Sequence, residues 1–232
     1  MIKFGLLRPA LIAAAIAVAA PAMSATVTNG GFETGDLSGW TVRNTRNGTS
    51  VVSDVATFDT TGAGASNAAR FQVGVASVTN PLSYGGIFLI QNFAVATAGD
   101  YAMSFDVAIA NMSSVMNSSG GRFQLLVDRV LVDSFSVNDV APLAERRDTL
   151  AGDLSLGAGN HEIMLRITRK YEAGSTLVST SGGTPMQFVD NASLRMIAPA
   201  VSVAAVPLPA SLPLLVAGVG VIGAMRKRRA KA

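Results

Sequence analysis

Residues 101–110 read YAMSFDVAIA, and their alternation gives the clearest indication of the fold. Large apolar side chains occupy every second position, and smaller or polar residues stand between them; the large ones are Tyr101, Met103, Phe105, Val107 and Ile109. A period of two is that of a β-strand with one buried face. The same alternation recurs in residues 71–75, 123–127 and 163–167, which predicts further strands of this kind.

On either side of this segment, the middle of the chain contains no capped segment whose apolar residues repeat with the period of a helix. Breaks rich in glycine, asparagine and serine at residues 60–68, 111–121, 157–160 and 174–184 predict loops. Antiparallel strands with one apolar face bury it by stacking two sheets. We therefore expect an all-β fold, a two-sheet antiparallel sandwich, over residues 26–196.

The composition excludes several kinds of catalytic and metal-binding site. The chain has 232 residues, no cysteine and a single histidine, His161. Disulfides, cysteine-bound zinc, a thiol nucleophile and a multi-histidine metal site are thereby excluded. We expect a protein that is not an enzyme.

The formal net charge of +3 comes from the two ends of the chain. Seven of the 18 basic residues lie in residues 1–8 and 226–231, which leaves eleven against all 15 acidic residues in between. Because binding to a phosphate backbone needs a basic surface, we expect no nucleic-acid partner.

Residues 1–25 have the three parts of a secretory signal peptide. Lys3 and Arg8 precede an alanine-rich apolar run, and the segment PAMSA offers cleavage after Ala22 or Ala25. A buried N-terminal helix is the alternative. The pattern predicts export.

Residues 206–232 also have three parts, and a linker, residues 197–205, precedes them. A proline-rich motif is followed by an apolar run and by a basic cluster, Arg226, Lys227, Arg228 and Arg229. The 12 uncharged residues after Pro213 span about 18 Å as a helix, against a hydrocarbon core of roughly 30 Å. We expect a marginal membrane helix whose basic end stays cytoplasmic, with an ordinary membrane anchor as the alternative.

This C-terminal region resembles the PEP-CTERM sorting signal of Gram-negative bacteria in its VPLPA variant. The motif residues are Val206, Pro207, Leu208, Pro209, Ala210 and Ser211, with Leu208 where glutamate is usual. The resemblance implies an exosortase as processing partner, transient membrane attachment, and a final location at the cell surface, in the outer envelope or outside the cell.

Asp190 is the most informative internal residue. It shares its strand parity with Phe188, Ala192 and Leu194, so we expect its carboxylate on the buried face. A buried carboxylate needs a partner, which leaves backbone amides, an arginine such as Arg70 or Arg195, or a cation. With Glu33 and main-chain carbonyls it offers hard oxygen ligands that suit calcium.

Two segments, NGGFETGDLSGWTV at residues 29–42 and TPMQFVDNASLRM at residues 184–196, resemble the opening and closing strands of galactose-binding-like jelly rolls. Many carbohydrate-binding modules have this fold. The resemblance implies a jelly-roll sandwich with a structural calcium between the first and last strands, held by Glu33 and Asp190.

Sugar binding normally uses an exposed aromatic ring and nearby polar groups. Tyr84, beside two glycines, and Tyr171, beside Arg169 and a glycine- and serine-rich stretch, are the candidate ligand-binding residues. We expect the single tryptophan, Trp40, to lie in the core.

The sequence thus predicts an exported surface or matrix protein that binds polysaccharide without catalysis. A structural or adhesive protein without a small ligand is the alternative. A glycoside hydrolase is a remote one, because the acidic pairs Asp128 with Asp133 and Glu145 with Asp148 fall in hairpins or loops, and His161 at a strand end.

Overall fold

The computed structural model describes residues 26–75, 84–117, 119–170 and 184–197. Within these ranges the chain forms ten strands and no helix. The strands are β1 (Thr41–Asn44), β2 (Gly48–Phe58), β3 (Ser66–Val75), β4 (Tyr84–Val95), β5 (Gly99–Ala110), β6 (Gly121–Val127), β7 (Val130–Val137), β8 (Glu145–Leu156), β9 (Gly159–Lys170) and β10 (Met186–Met196).

The strands form two five-stranded sheets. The first sheet has the order β1-β4-β9-β6-β7 and the second has the order β2-β3-β10-β5-β8. All the paired neighbours run antiparallel. The predicted all-β, two-sheet antiparallel sandwich is confirmed.

The alternating residues of β5 form the centre of the core between the sheets. Its five large side chains are all at most 1% exposed, as the period of two predicts. Trp40 is buried, as expected, and its ring meets Phe105 edge to face and stacks on Phe32, with centroids 5.9 Å apart in both pairs. The loop before β1 therefore packs into the core.

A β-bulge in β10 corrects the predicted strand parity. The pairing of β10 with β5 shifts register between Asp190 and Ser193, and Asn191 has a left-handed backbone with φ of 49°. Such a bulge adds one residue and reverses the alternation. Val189 and Ala192 accordingly join the main core.

Phe188 lies on the opposite face of β10. It stacks on Phe58 with ring centroids 3.7 Å apart and packs in a separate small cluster with alanines of β3 and β5. Asp190 has the same parity as Phe188 ahead of the bulge, so it does not share a face with Ala192 and Leu194. The expectation of one common face was wrong, although Asp190 itself is fully buried.

The predicted signal peptide, the linker from residue 198 and the sorting region, residues 206–232, lie outside the described residues. In the part of the chain that is described, we find no helix long and apolar enough to cross a membrane.

Candidate functional site

Asp190 occupies a buried polar site beside the bulge. Its Oδ2 accepts a hydrogen bond from the hydroxyl of Ser66 at 2.6 Å, and its Oδ1 accepts one from the backbone N–H of Asn191 at 2.7 Å. Burial raises the pKa of Asp190, and the nearby charges of Glu33 and Asp106 raise it further, against the opposing effect of the two hydrogen bonds. No ion pair among the described residues includes Asp190, so none of them supplies a positive charge to balance its desolvation.

Glu33 lies close to this carboxylate, and the pairing of the two residues in one metal site stays a prediction. The Cγ of Glu33 and the Oδ1 of Asp190 lie 3.7 and 3.9 Å from the point that a Cβ on Gly31 would occupy. The side-chain amide of Asn67 donates to Oε2 of Glu33 at 3.3 Å. The side chain of Glu33 and the carboxylate of Asp190 thus both approach Gly31.

These groups suit calcium in their chemistry. Carboxylate, hydroxyl and amide oxygens are the hard ligands that calcium prefers, and a cation between two carboxylates would offset their repulsion. Among the described residues, no cluster of three or more histidine, cysteine or acidic side chains is placed to hold a metal. A bound ion would therefore need Glu33 and Asp190 together with hydroxyl and carbonyl oxygens.

The other partners considered for Asp190 are placed differently. Arg70 pairs with Asp54, with Nη2 and Oδ2 2.6 Å apart, so it does not neutralise Asp190. Arg195 is exposed on β10 and joins no ion pair in the ranges that the structure covers. A backbone amide, that of Asn191, is the partner that the structure does supply.

A cleft of about 280 Å³ lies at one end of the first sheet, and Tyr84 lines it. Tyr84 is 44% exposed and pairs with Lys170 of β9, while Arg122 and Ser136 approach from β6 and β7. The cleft therefore combines one exposed aromatic ring with several hydrogen-bonding groups. Tyr171, the second candidate ring, lies outside the described residues.

Arg169 supports this cleft from behind. It is only 7% exposed, and its Nε donates to the carbonyl of Ser119 at 2.6 Å while Nη2 donates to Oδ1 of Asn117 at 3.0 Å. Ser119 itself lines the cleft. The guanidinium thus holds a wall of the cleft, and its direct contact with a ligand stays a prediction.

A second cleft, of about 300 Å³, lies on the same sheet. Thr41 and Arg43 of β1, Ile90 and Asn92 of β4, and Glu162 of β9 line it. The register places Ile90 opposite Thr41, and Asn92 opposite Glu162. Both clefts therefore involve the first sheet, one toward each end of β4.

The sequence did not point to most of the residues that line the clefts or surround Asp190. Ser66 lies in a stretch expected to be a loop, and Arg122, Ser136 and Arg43 carry no motif. Their grouping depends on the pairing of strands that are distant in sequence. The alternation of apolar residues in β6 and β9 was the one signal for them, since it places Arg122 and Lys170 on the face of the sheet that points away from the core.

The acidic residues that could have served a glycoside hydrolase make structural contacts instead. Asp128 bonds to His161, Asp133 accepts from the backbone N–H of Ala151, and Glu145 forms an ion pair with Arg147. Neither of the two clefts includes any of these carboxylates.

His161 links two turns at one end of the sandwich. Its Nδ1 lies 2.7 Å from Oδ2 of Asp128 and its Nε2 lies 2.9 Å from the carbonyl oxygen of Gly157. Both ring nitrogens face acceptors, and only the imidazolium form can donate from both. The hydrogen bond to Asp128 is the main cause that raises the pKa of His161, followed by the bond to Gly157.

We expect a pH-dependent stability from this pair. The raised pKa means that its contribution is complete below the unfolded value of about 6.5 and is lost as pH rises through the folded-state value. Because Asp128 is exposed at the surface, we expect at most about 1 kcal/mol. The imidazole NMR signal measures the pKa directly, since the chain has one histidine.

Asp128→Asn is the matched variant for this measurement. Asp128 has a left-handed φ of 50°, which asparagine also tolerates, so the turn is kept while the charge is removed. The pKa of His161 is expected to fall in the variant. Equal titration curves for the two proteins would show that Asp128 does not control the imidazole.

No protein-family model matches the chain, and no curated protein matches it. Three solved structures illustrate its structural similarities. The carbohydrate-binding module TmCBM61 in complex with β-1,4-galactotriose is 16% identical, with a TM-score of 0.41 over 73% of this chain and 96% of that one. The CBM22-2 xylan-binding domain of Paenibacillus barcinonensis Xyn10C is 12% identical, with a TM-score of 0.36 over 72% and 98%.

The third is the enzymatically active domain of bacteriophage CBA120 tailspike protein 4. It is 16% identical, with a TM-score of 0.41 over 75% of this chain but only 21% of the tailspike chain. All three similarities are distant, and they assign neither a ligand nor an activity to this protein.

Proposed function

We propose that this chain is a non-enzymatic protein of the cell surface or extracellular matrix whose sandwich binds polysaccharide through the first sheet. The observation that carries the proposal is the cleft at Tyr84, where an exposed ring stands beside Arg122, Ser136 and Lys170. A ring that stacks on a sugar, with donors for its hydroxyl groups alongside, is the usual basis of carbohydrate recognition.

The two ends of the chain support export and sorting. The charged start, apolar run and small-residue segment of residues 1–25 have the form of a signal peptide. The VPLPAS motif, the short apolar run and the arginine-rich tail have the order of a sorting signal that an exosortase removes. The mature protein then leaves the membrane for the cell surface or the medium.

Calcium binding at Glu33 and Asp190 is a further part of this proposal. The buried carboxylate, its raised pKa and the approach of the Glu33 side chain beside Gly31 support it. The ion would be structural, since it would tie the loop before β1 to the last strand, β10.

The function is tested by electrophoresis of the purified full chain through gels that contain neutral or acidic polysaccharides. We expect retardation by at least one of them. Tyr84→Ala should weaken that binding about five- to tenfold because it removes the ring, whereas Tyr84→Phe, which keeps the ring, should retain most of it. Unretarded migration in every gel would refute the binding role and leave a structural or adhesive one.

A further inference from the structure

A row of residues crosses the outer face of the first sheet between the two clefts. The register pairs Arg43 with Phe88, Phe88 with Arg166, Arg166 with Gln124, and Gln124 with Ser134. The residues on both sides of Arg166, Leu165 and Ile167, belong to the core. Arg166 and its row therefore point away from the core.

Three guanidinium groups lie on this face, and the part of the chain that the structure describes supplies none of them with an acceptor. Within the described residues, Arg43, Arg122 and Arg166 take part in none of the ion pairs or side-chain hydrogen bonds found. The Nε atoms of Arg122 and Arg166 are buried without any hydrogen-bond partner. A charged donor that has lost water and gained no acceptor is costly, and the negative charge of an anion bound to the outer guanidinium nitrogens would offset part of that cost.

Apolar groups accompany the charges. The guanidinium of Arg166 lies over the ring of Phe88, 5.8 Å from its centroid. The next row pairs Thr41 with Ile90, Ile90 with Met164, and Met164 with Leu126. The face therefore offers both cations and apolar side chains to one ligand.

Carboxylates are absent from the middle of this face. The third row pairs Gly86 with Thr168, Thr168 with Arg122, and Arg122 with Ser136. None of the three rows contains an acidic residue; the acidic residues that line the clefts, Asp139 and Glu162, lie at the ends. On the second sheet, by contrast, Arg70 and Arg147 each have a carboxylate partner.

We propose that this face binds an anionic polysaccharide whose sugar units carry carboxylate groups. The inference rests on the proposed polysaccharide binding and names its ligand class. Arginine recognises a carboxylate through two parallel hydrogen bonds, and the apolar face of a sugar ring would lie on Phe88. The clefts at the two ends of the face would receive neighbouring units of the same polymer.

The charge pattern favours this polymer over a nucleic acid. Arg43 and Arg166 are two strands apart in the sheet, which corresponds to about 10 Å. Duplex DNA carries one charge per roughly 1.7 Å of its axis. The remainder of residues 26–196 is acidic, with 15 acidic residues in all, and would repel such a dense polyanion. A polysaccharide with one carboxylate per sugar unit carries its charges farther apart than duplex DNA does, and so matches the separation of Arg43 and Arg166 better.

The experiment compares binding of the full chain, kept soluble in a mild detergent, to polygalacturonate, neutral galactan and oligothymidylate. We expect polygalacturonate to bind best, with salt weakening the binding. Arg166→Gln and the exposed Arg43→Gln should each weaken it about tenfold or more, while Arg195→Gln, which removes a charge from the second sheet, should not. Thermal melting of each variant controls for folding, and Arg43→Gln tests the face even if Arg166→Gln unfolds.

Four results would overturn the inference, with three different consequences. Binding to galactan as tight as to polygalacturonate, or equal effects of Arg43→Gln and Arg195→Gln, would leave polysaccharide binding in place but remove the anionic specificity. Tighter binding of oligothymidylate would assign the face to nucleic acid. Binding to none of the three probes, with the same result in the wider polysaccharide panel, would remove the proposed function as well.

Discussion

Gly86→Ala is expected to lower the free energy of unfolding by about 3 kcal/mol or more. A Cβ at this position would lie 2.0 Å from the carbonyl oxygen of Ile167 and 2.9 Å from the Cα of Thr168. Both atoms are backbone of β9, the central strand of the first sheet. They cannot move aside without breaking the pairing of β4 with β9.

The other side of Gly86 is equally constrained. A Cβ on Gly48 would lie 1.7 Å from the backbone nitrogen of Gly86, and Thr45 exchanges two hydrogen bonds with Gly86. The crossing from β1 to β2 therefore packs directly on β4. The strand that is fixed in this way carries Tyr84 and Phe88, so the variant should also disturb the proposed binding face.

Gly157→Ala is the matched control. Nothing lies within 4 Å of a Cβ at Gly157, and its backbone is not left-handed, so we expect a change within about 0.5 kcal/mol. Urea unfolding of the wild type and both variants gives the comparison. If Gly86→Ala and Gly157→Ala unfold at the same urea concentration, the close approach of β4 and β9 is not as tight as described.

The second large effect is expected at Asp190, where calcium should reverse the order of stability of the wild type and Asp190→Asn. In chelator, Asp190→Asn is expected to be at least as stable as the wild type, because it removes a buried charge that Glu33 and Asp106 repel. In calcium the order should reverse. An ion that binds only the folded wild type adds about 2.7 kcal/mol when its concentration is a hundred times the dissociation constant.

The sign of the pH dependence in chelator follows from the raised pKa of Asp190. A folded-state pKa above the unfolded value of about 3.9 means that stability falls as pH rises from that value through the folded-state one. Bound calcium favours the ionised form and should abolish this loss. Melting temperatures measured from acid to neutral pH, with calcium and with chelator, test both statements.

Asp54→Asn serves as the control for the calcium effect. It removes one carboxylate from the same sheet, but that carboxylate pairs with Arg70 at the surface. Its melting temperature should rise in calcium as much as that of the wild type. A wild type that melts at the same temperature in calcium and in chelator would refute the structural ion.

The strands could be predicted from the sequence because burial in a two-sheet sandwich repeats every second residue. In β5 this repeat is uninterrupted, and its five large side chains lie in the core. In β10 the repeat failed, because the bulge at Asn191 shifts the parity halfway along the strand. Asparagine tolerates a left-handed backbone, but its presence alone does not predict a bulge.

For the candidate sites, the sequence suggests single residues and one pair of residues, but not a row of residues from several strands. Glu33 and Asp190 were paired from the oxygen ligands that they offer and from a resemblance; both side chains approach Gly31, and a metal site there stays a prediction. The row of Arg43, Phe88 and Arg166 spans more than 120 residues of sequence. It exists because β1, β4 and β9 pair in one register, and no local pattern encodes that register.

The position of β10 has a consequence for how the protein is made. It is the last strand of the described residues, yet it lies between β3 and β5 in the middle of its sheet. A nascent chain therefore exposes two unpaired strand edges, those of β3 and β5, until residues 186–196 have been made. The second sheet closes only through this late, long-range pairing, which is the kind of step that slows folding.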